Sequence, residues 1–96
     1  MTQYYIVGEL SSLLGDLQPG PDEWRAVVDE LRHEVEHSSP PLLPPLAREA
    51  LGLTDRVCWD ALEHGDVGGF SRYAKAGAAL REFSANAGLL SEGYSA

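Results

Sequence analysis

The sequence predicts an all-α fold, a small irregular or orthogonal bundle of four main helices and one short helix that begins at proline. Gly and Pro residues divide the chain into helix-length pieces, apolar residues recur in these pieces every three or four positions, and no run alternates long enough for a sheet. The chain has 96 residues, which is the size of one small domain. We therefore expect residues 1–96 to form a single helical domain.

The composition is that of a folded, acidic protein. Hydrophobic residues make up 44% of the chain, and seven Lys and Arg against fifteen Asp and Glu give a net charge of −8. Nucleic-acid binding is not expected because it needs a basic face. The sequence has no membrane-length apolar run, no basic start typical of a secretion signal, and one cysteine, which excludes an intramolecular disulfide. These features predict a cytoplasmic protein, and the abundant Arg, Ala, Gly and Leu indicate a high-GC bacterium.

The first two helices are predicted from their apolar spacing. The first covers about 4–17, and its β-favouring start leaves open whether 4–7 is helical or extended. A break at 18–21 contains two prolines, and the second helix then begins with Asp22 and Glu23 at the positive end of its dipole. The predicted buried stripe of this helix is Trp24, Val27, Val28, Leu31 and Val35.

Prolines dominate the connector at 38–45. We expect a stiff polyproline-II spacer whose leucines fill the core, with docking into a proline-binding groove of another protein as the alternative. A short helix is then predicted to begin at Pro44 or Pro45 and to end at Gly52.

Two further helices complete the predicted bundle. Thr54 is expected to cap a helix over 55–64, and Asp66 a last helix over 67–88, while the tail at 91–96 is expected to fray. Small residues in the last helix leave room for close approach to a neighbour. The predicted buried residues of the two helices are Val57, Cys58, Ala61, Leu62, Tyr73, Ala76, Gly77, Leu80, Phe83 and Ala87.

A metal-binding motif lies at the end of the second helix. Residues 33–37 read His-Glu-Val-Glu-His, which matches His-Glu-x-x-His and resembles the zinc-binding helix of metalloproteases. The resemblance implies that His33 and His37 ligate zinc and that Glu34 activates the metal-bound water. It also implies a third ligand from elsewhere, such as His64.

Helical geometry favours a solvated surface instead. At about 100° per residue, His33 and His37 lie opposite the apolar stripe, whereas a catalytic helix must present its ligands to a cleft that excludes water. Glu63 is the other candidate for a third ligand, and Glu30 and Glu34 could help to hold a divalent ion at the surface. The doubled Glu-x-x-His spacing also resembles ferritin-like di-iron proteins, in which such ligands point inward.

Cys58 is the sole candidate for a nucleophilic thiol. His64 follows it by six residues, about 600° around a helix, so the two side chains do not share a face and we expect a small buried thiol. The adjacent Trp59 lies towards the flank of the helix, where it covers a groove or an interface or is partly buried in the fold. A further possibility is an apolar ligand pocket lined by Trp24, Tyr73 and Phe83.

These observations favour a non-catalytic function, since no motif combines suitable residues with spacing and an inward direction. We expect no cofactor and no catalytic residue, and a protein that binds a partner with a basic surface or self-associates as a homodimer. The alternative is a metal-binding protein or zinc-dependent hydrolase that uses His33, Glu34 and His37. The expected interaction surface is Glu30, Glu34, Glu36 and Trp59.

The homodimer is expected because large apolar side chains near the ends and connectors exceed what one short bundle can cover. These residues are Tyr4, Tyr5, Leu42, Leu43, Trp59, Leu89 and Leu90.

Overall fold

A computed structural model of the protein describes the backbone of residues 2–18 and 20–90 and the side chains of residues 5–18 and 20–90. Within these ranges the chain forms four α-helices and one short 3₁₀ helix. The elements are α1 (Thr2–Asp16), α2 (Asp22–His37), the 3₁₀ helix (Pro40–Leu42), α3 (Leu43–Glu63) and α4 (Val67–Asn86). Residues 2–18 and 20–90 contain no strand, so the all-α prediction is confirmed. The tail predicted to fray at 91–96 lies outside these residues.

One buried apolar cluster connects the four α-helices. Helix α1 is helical through residues 4–7, which decides the point that the sequence left open. Its inward leucines pack with the buried face of α2, and α3 and α4 close the core. The buried apolar residues of α1 and α2 are Leu10, Leu14, Val28, Leu31 and Val35.

The apolar stripe of α2 is narrower than predicted. Val27 is 39% exposed, and Trp24 is only partly buried. The buried face is centred on Leu31 and Val35, and Val27 lies at its edge because it is turned about 100° from Val28. The prediction that Val27 is a core residue was therefore wrong.

Polar side chains also join α1 to α2. The Ser11 hydroxyl donates to Glu36 Oε2 at 2.7 Å, and Arg32 Nε donates to Ser11 Oγ at 3.4 Å. The Arg32 guanidinium lies over Gly15, where an added Cβ would be 3.5 Å from Cζ. Arg32 and Glu36 thus stabilise the pairing of these two helices.

The connector and the third helix differ from the sequence-based expectation. Residues 40–42 form a 3₁₀ helix rather than polyproline II, and α3 continues without a break through Gly52. The prolines at 44 and 45 fit within its first turn, where backbone N–H groups have no helical partner in any case. Thr54 caps nothing, because its hydroxyl donates to the Ala50 carbonyl at 2.9 Å inside the helix. The two predicted helices are therefore one.

Burial on both sides of Gly52 explains why α3 remains continuous. The glycine itself is exposed, but its helical neighbours before and after it belong to the core, so tertiary packing outweighs a helix-propensity cost of about 1 kcal/mol. Two leucines that the sequence predicts to be buried are exposed: Leu62 by 42% and Leu42 by 53%. These two predictions were wrong. The buried residues of α3 include Leu46, Ala47, Ala50, Leu51, Leu53, Val57 and Ala61.

Helix α4 begins as predicted and packs closely on α3. The Asp66 Oδ1 accepts a hydrogen bond from the Gly69 N–H at 2.9 Å, which caps the helix. Farther along, Gly77 is buried against Thr54, and an added Cβ would overlap the Thr54 Cγ2 methyl group. The absence of a side chain at Gly77 thus sets how near the two helices lie. The described helices include none that is long and apolar enough to cross a bilayer.

We predict that Gly77→Ala lowers the free energy of unfolding by about 1–3 kcal/mol, because the new methyl group must displace Thr54 or separate the helices. Gly52→Ala is the matched control: nothing lies within 4 Å of its added Cβ, so it should raise stability by about 0.5–1 kcal/mol. Urea denaturation of the two variants measures both changes. Equal effects of the two substitutions would contradict the close contact.

Ser84 provides a second test of the α4 packing. Its hydroxyl is fully buried and has no hydrogen-bond partner among the described residues, which is costly for a polar group. We predict that Ser84→Ala leaves stability unchanged or raises it by up to about 1–2 kcal/mol. Denaturation by urea measures the change, and a large loss of stability would mean that the hydroxyl has a partner in solution.

Candidate functional site

The histidines of the motif lie on the last turns of α2, and their side chains are exposed, as predicted. The ring centroids of His33 and His37 are 4.2 Å apart, with planes tilted by 32°. His37 Nδ1 is 2.9 Å from the His33 carbonyl oxygen. In the neutral ring Nδ1 therefore donates to this carbonyl, and the lone pair available for other partners is on Nε2.

The two exposed histidines also line a depression of the surface. The 3₁₀ helix and the start of α3 fold back beside them and form a depression of about 410 Å³ with an apolar wall. We call it the histidine depression; its lining residues are His33, Glu34, His37, Ser38, Leu42, Pro45 and Leu46. Helix periodicity could not predict this wall, because it depends on the path of the connector.

A third metal ligand is not brought to this depression. In residues 2–18 and 20–90, no group of three or more His, Cys, Asp or Glu side chains is placed to hold a metal ion. His64 and Glu63 lie at the far end of α3, and a 21-residue helix is about 30 Å long. Glu36 is turned towards α1, where it accepts from Ser11. The zinc-hydrolase alternative thus has two histidines and one adjacent glutamate, but no completed ligand set among the described residues.

A second surface lies between α3 and α4. Its volume is about 480 Å³, and its charged lining residues are Asp55 and Arg81. Trp59 on its rim is 66% exposed, beside the half-exposed Leu62. We call it the α3–α4 groove; its lining residues are Thr54, Asp55, Cys58, Trp59, Leu62, Phe70, Ala74, Gly77, Ala78 and Arg81.

Cys58 lies in this groove, partly buried. Burial of the thiol and, secondly, the negative charge of Asp55 raise the pKa of Cys58. His64, the base considered from sequence, lies in a different depression with Trp24 and Tyr73. The structure therefore does not pair the thiol with an imidazole, and a raised pKa is the opposite of what an activated nucleophile requires.

His64 is fixed at the end of α3 by its own helix. Its Nδ1 is 2.8 Å from the Asp60 carbonyl oxygen and 3.6 Å from the Asp60 carboxylate. The backbone hydrogen bond and the charge of Asp60, followed by that of Glu63, raise the pKa of His64. This histidine has the same backbone anchor as His37 but no second imidazole beside it.

The predicted aromatic ligand pocket is divided between two places. Trp24 and Tyr73 line one depression, whereas Phe83 stacks edge-on with Tyr5 in another, with ring centroids 6.1 Å apart. The Tyr73 hydroxyl accepts from the Gly20 N–H at 3.0 Å, so it secures the turn between α1 and α2.

Comparison of this chain with protein-family models, with curated proteins and with solved structures gives no match.

We predict that Asp55→Asn shifts the alkylation of Cys58 by iodoacetamide to lower pH, because removing the negative charge favours the thiolate. The rate would be followed by mass spectrometry between about pH 7 and 10, at low protein concentration. Asp29→Asn on α2 is the control and should leave the profile unchanged. An unchanged profile in Asp55→Asn would contradict the electrostatic effect.

Proposed function

We propose that this chain is a non-catalytic protein-interaction domain that forms a homodimer through the α3–α4 groove. The observation that carries the proposal is the exposure of Trp59 on the rim of an apolar groove. Aromatic side chains, and Trp above all, are enriched among residues that dominate binding energy at protein interfaces.

The apolar side chains support this surface over the other exposed positions. Leu43 and Leu89 are buried, so these two do not contribute to the excess apolar surface expected from sequence. The side chain of Tyr4 lies outside the described residues. The exposed Trp59 and Leu62 line the groove together with the partly buried Cys58 and Phe70. Tyr5 and Leu42 lie elsewhere.

Charge favours a second copy as the occupant. Residues 1–42 carry eight acidic residues against two arginines, whereas 43–90 carry six acidic against five basic residues. Two acidic molecules approach with least repulsion through their nearly neutral side. In a two-fold arrangement the Asp55 carboxylate of one copy can also face the Arg81 guanidinium of the other, which is the self-complementarity that such a dimer needs.

The size of the molecule is compatible with such a dimer. A stable interface buries about 800 Å² on each partner, roughly one-seventh of the accessible surface of 5816 Å². Helices α3 and α4 have 21 and 20 residues and are each about 30 Å long, so their shared face is large enough to supply this area.

The test compares Trp59→Glu with Val27→Glu, which add the same charge to an exposed helix position inside and outside the groove. Wild type and Val27→Glu should sediment as dimers at micromolar concentration. Trp59→Glu should weaken the dimer about 30-fold or more, as expected for loss of an interface residue worth at least about 2 kcal/mol. Circular dichroism checks that both variants remain helical.

A wild-type protein that sediments only at 10.4 kDa, or a Trp59→Glu variant that remains dimeric, would reject the proposal. The dependence of binding on salt concentration distinguishes the proposed homodimer from binding of a basic partner to the acidic face of α2. The apolar dimer should persist at high salt, whereas contacts of Glu30 and Glu34 with a basic surface should weaken. Glu36 is the weakest contributor to such a face because it already accepts from Ser11.

A further inference from the structure

We infer that His33 and His37 form a two-imidazole chelate for a late first-row divalent metal ion such as Cu²⁺, Ni²⁺ or Zn²⁺. The inference does not depend on the proposed dimer. It concerns ion binding at the histidine depression, with water in the remaining coordination positions, and it requires no hydrolytic activity.

The spacing and stacking of the two rings carry the inference. Residues four apart lie on one helix face, one turn above the other. Here the ring centroids are 4.2 Å apart, so two imidazole nitrogens can reach one ion without a change in the helix. Both side chains are exposed, which gives an ion free access.

The hydrogen bond of His37 selects the ring nitrogen that binds. Because Nδ1 is held by the His33 carbonyl oxygen at 2.9 Å, Nε2 carries the free lone pair. Histidines that ligate metals commonly donate their other ring N–H to a carbonyl or a carboxylate, which fixes the tautomer and the ring orientation.

The electrostatic surroundings favour a cation. The pair lies at the C-terminal end of α2, where the helix dipole is negative, and Glu34 lines the same depression. The lining contains no basic residue apart from the two histidines, and the nearest arginine in sequence, Arg32, is turned towards Ser11 on α1.

The ligand type determines the class of ion. Imidazole nitrogen suits copper, nickel and zinc, and their affinities for such a site peak at Cu²⁺ in the divalent series. Mg²⁺ and Ca²⁺ require oxygen ligands, and one glutamate does not supply them. The site therefore discriminates between these two groups of ions.

The experiment uses the untagged full chain, titrated calorimetrically with NiCl₂, ZnCl₂ and, for comparison, MgCl₂. Ni²⁺ and Zn²⁺ should bind with one ion per chain, and Mg²⁺ should not bind. His33→Ala and His37→Ala should each weaken binding by at least about tenfold. His64→Ala is the matched control, because His64 is also exposed and anchored through Nδ1 but has no second imidazole beside it, and this variant should bind the ions as wild type does.

Thermal denaturation gives a second, independent test of the site. The ion should raise the melting temperature of wild type and His64→Ala but not of His33→Ala, since an ion that binds the folded state stabilises it. The proposal is overturned if neither ion binds at micromolar to millimolar concentration, or if both alanine variants in the pair bind as wild type does.

Discussion

The contact between Thr54 of α3 and Gly77 of α4 governs much of this structure. Because Gly77 has no side chain, the Thr54 methyl group occupies the place where a Cβ would lie, and the two longest helices pack at short distance. The same two residues line the α3–α4 groove. This close approach thus holds α3 against α4 and supplies part of the lining of the groove that Trp59 also lines.

The local chemistry around this contact is consistent with its structural role. The Thr54 hydroxyl is satisfied inside α3 by the Ala50 carbonyl, so the side chain can present its methyl group to Gly77 without leaving a polar atom unpaired. Asp66 caps the first turn of α4, which sets where the helix begins and therefore which residue reaches Thr54. Capping and close packing together determine the register of the two helices.

The sequence predicted the elements whose signals are local and missed those decided by packing. The N-cap at Asp66 and the buried stripe of α2 around Leu31 depend on neighbouring residues, and both are found. In the sequence, Gly52 indicates the end of one helix and Thr54 the cap of the next. In the structure α3 is continuous, because residues on both sides of Gly52 are buried in the core. The predicted break therefore failed because tertiary burial exceeds the modest helix-propensity cost of one glycine.

The candidate sites also combine features that follow from local sequence with features that depend on tertiary packing. The outward direction of His33 and His37 follows from helix periodicity alone, whereas the apolar wall beside them depends on the 3₁₀ turn at Pro40–Leu42.

Helix α3 contributes to both candidate surfaces. Its start adjoins the histidine depression and its second half adjoins the α3–α4 groove, with Leu46 and Trp59 separated by about 20 Å along the helix axis. Helix α3 has buried residues along its whole length, and the two surfaces have no lining residue in common. The same helix therefore supplies one wall to each surface, and the core that holds it in place positions both.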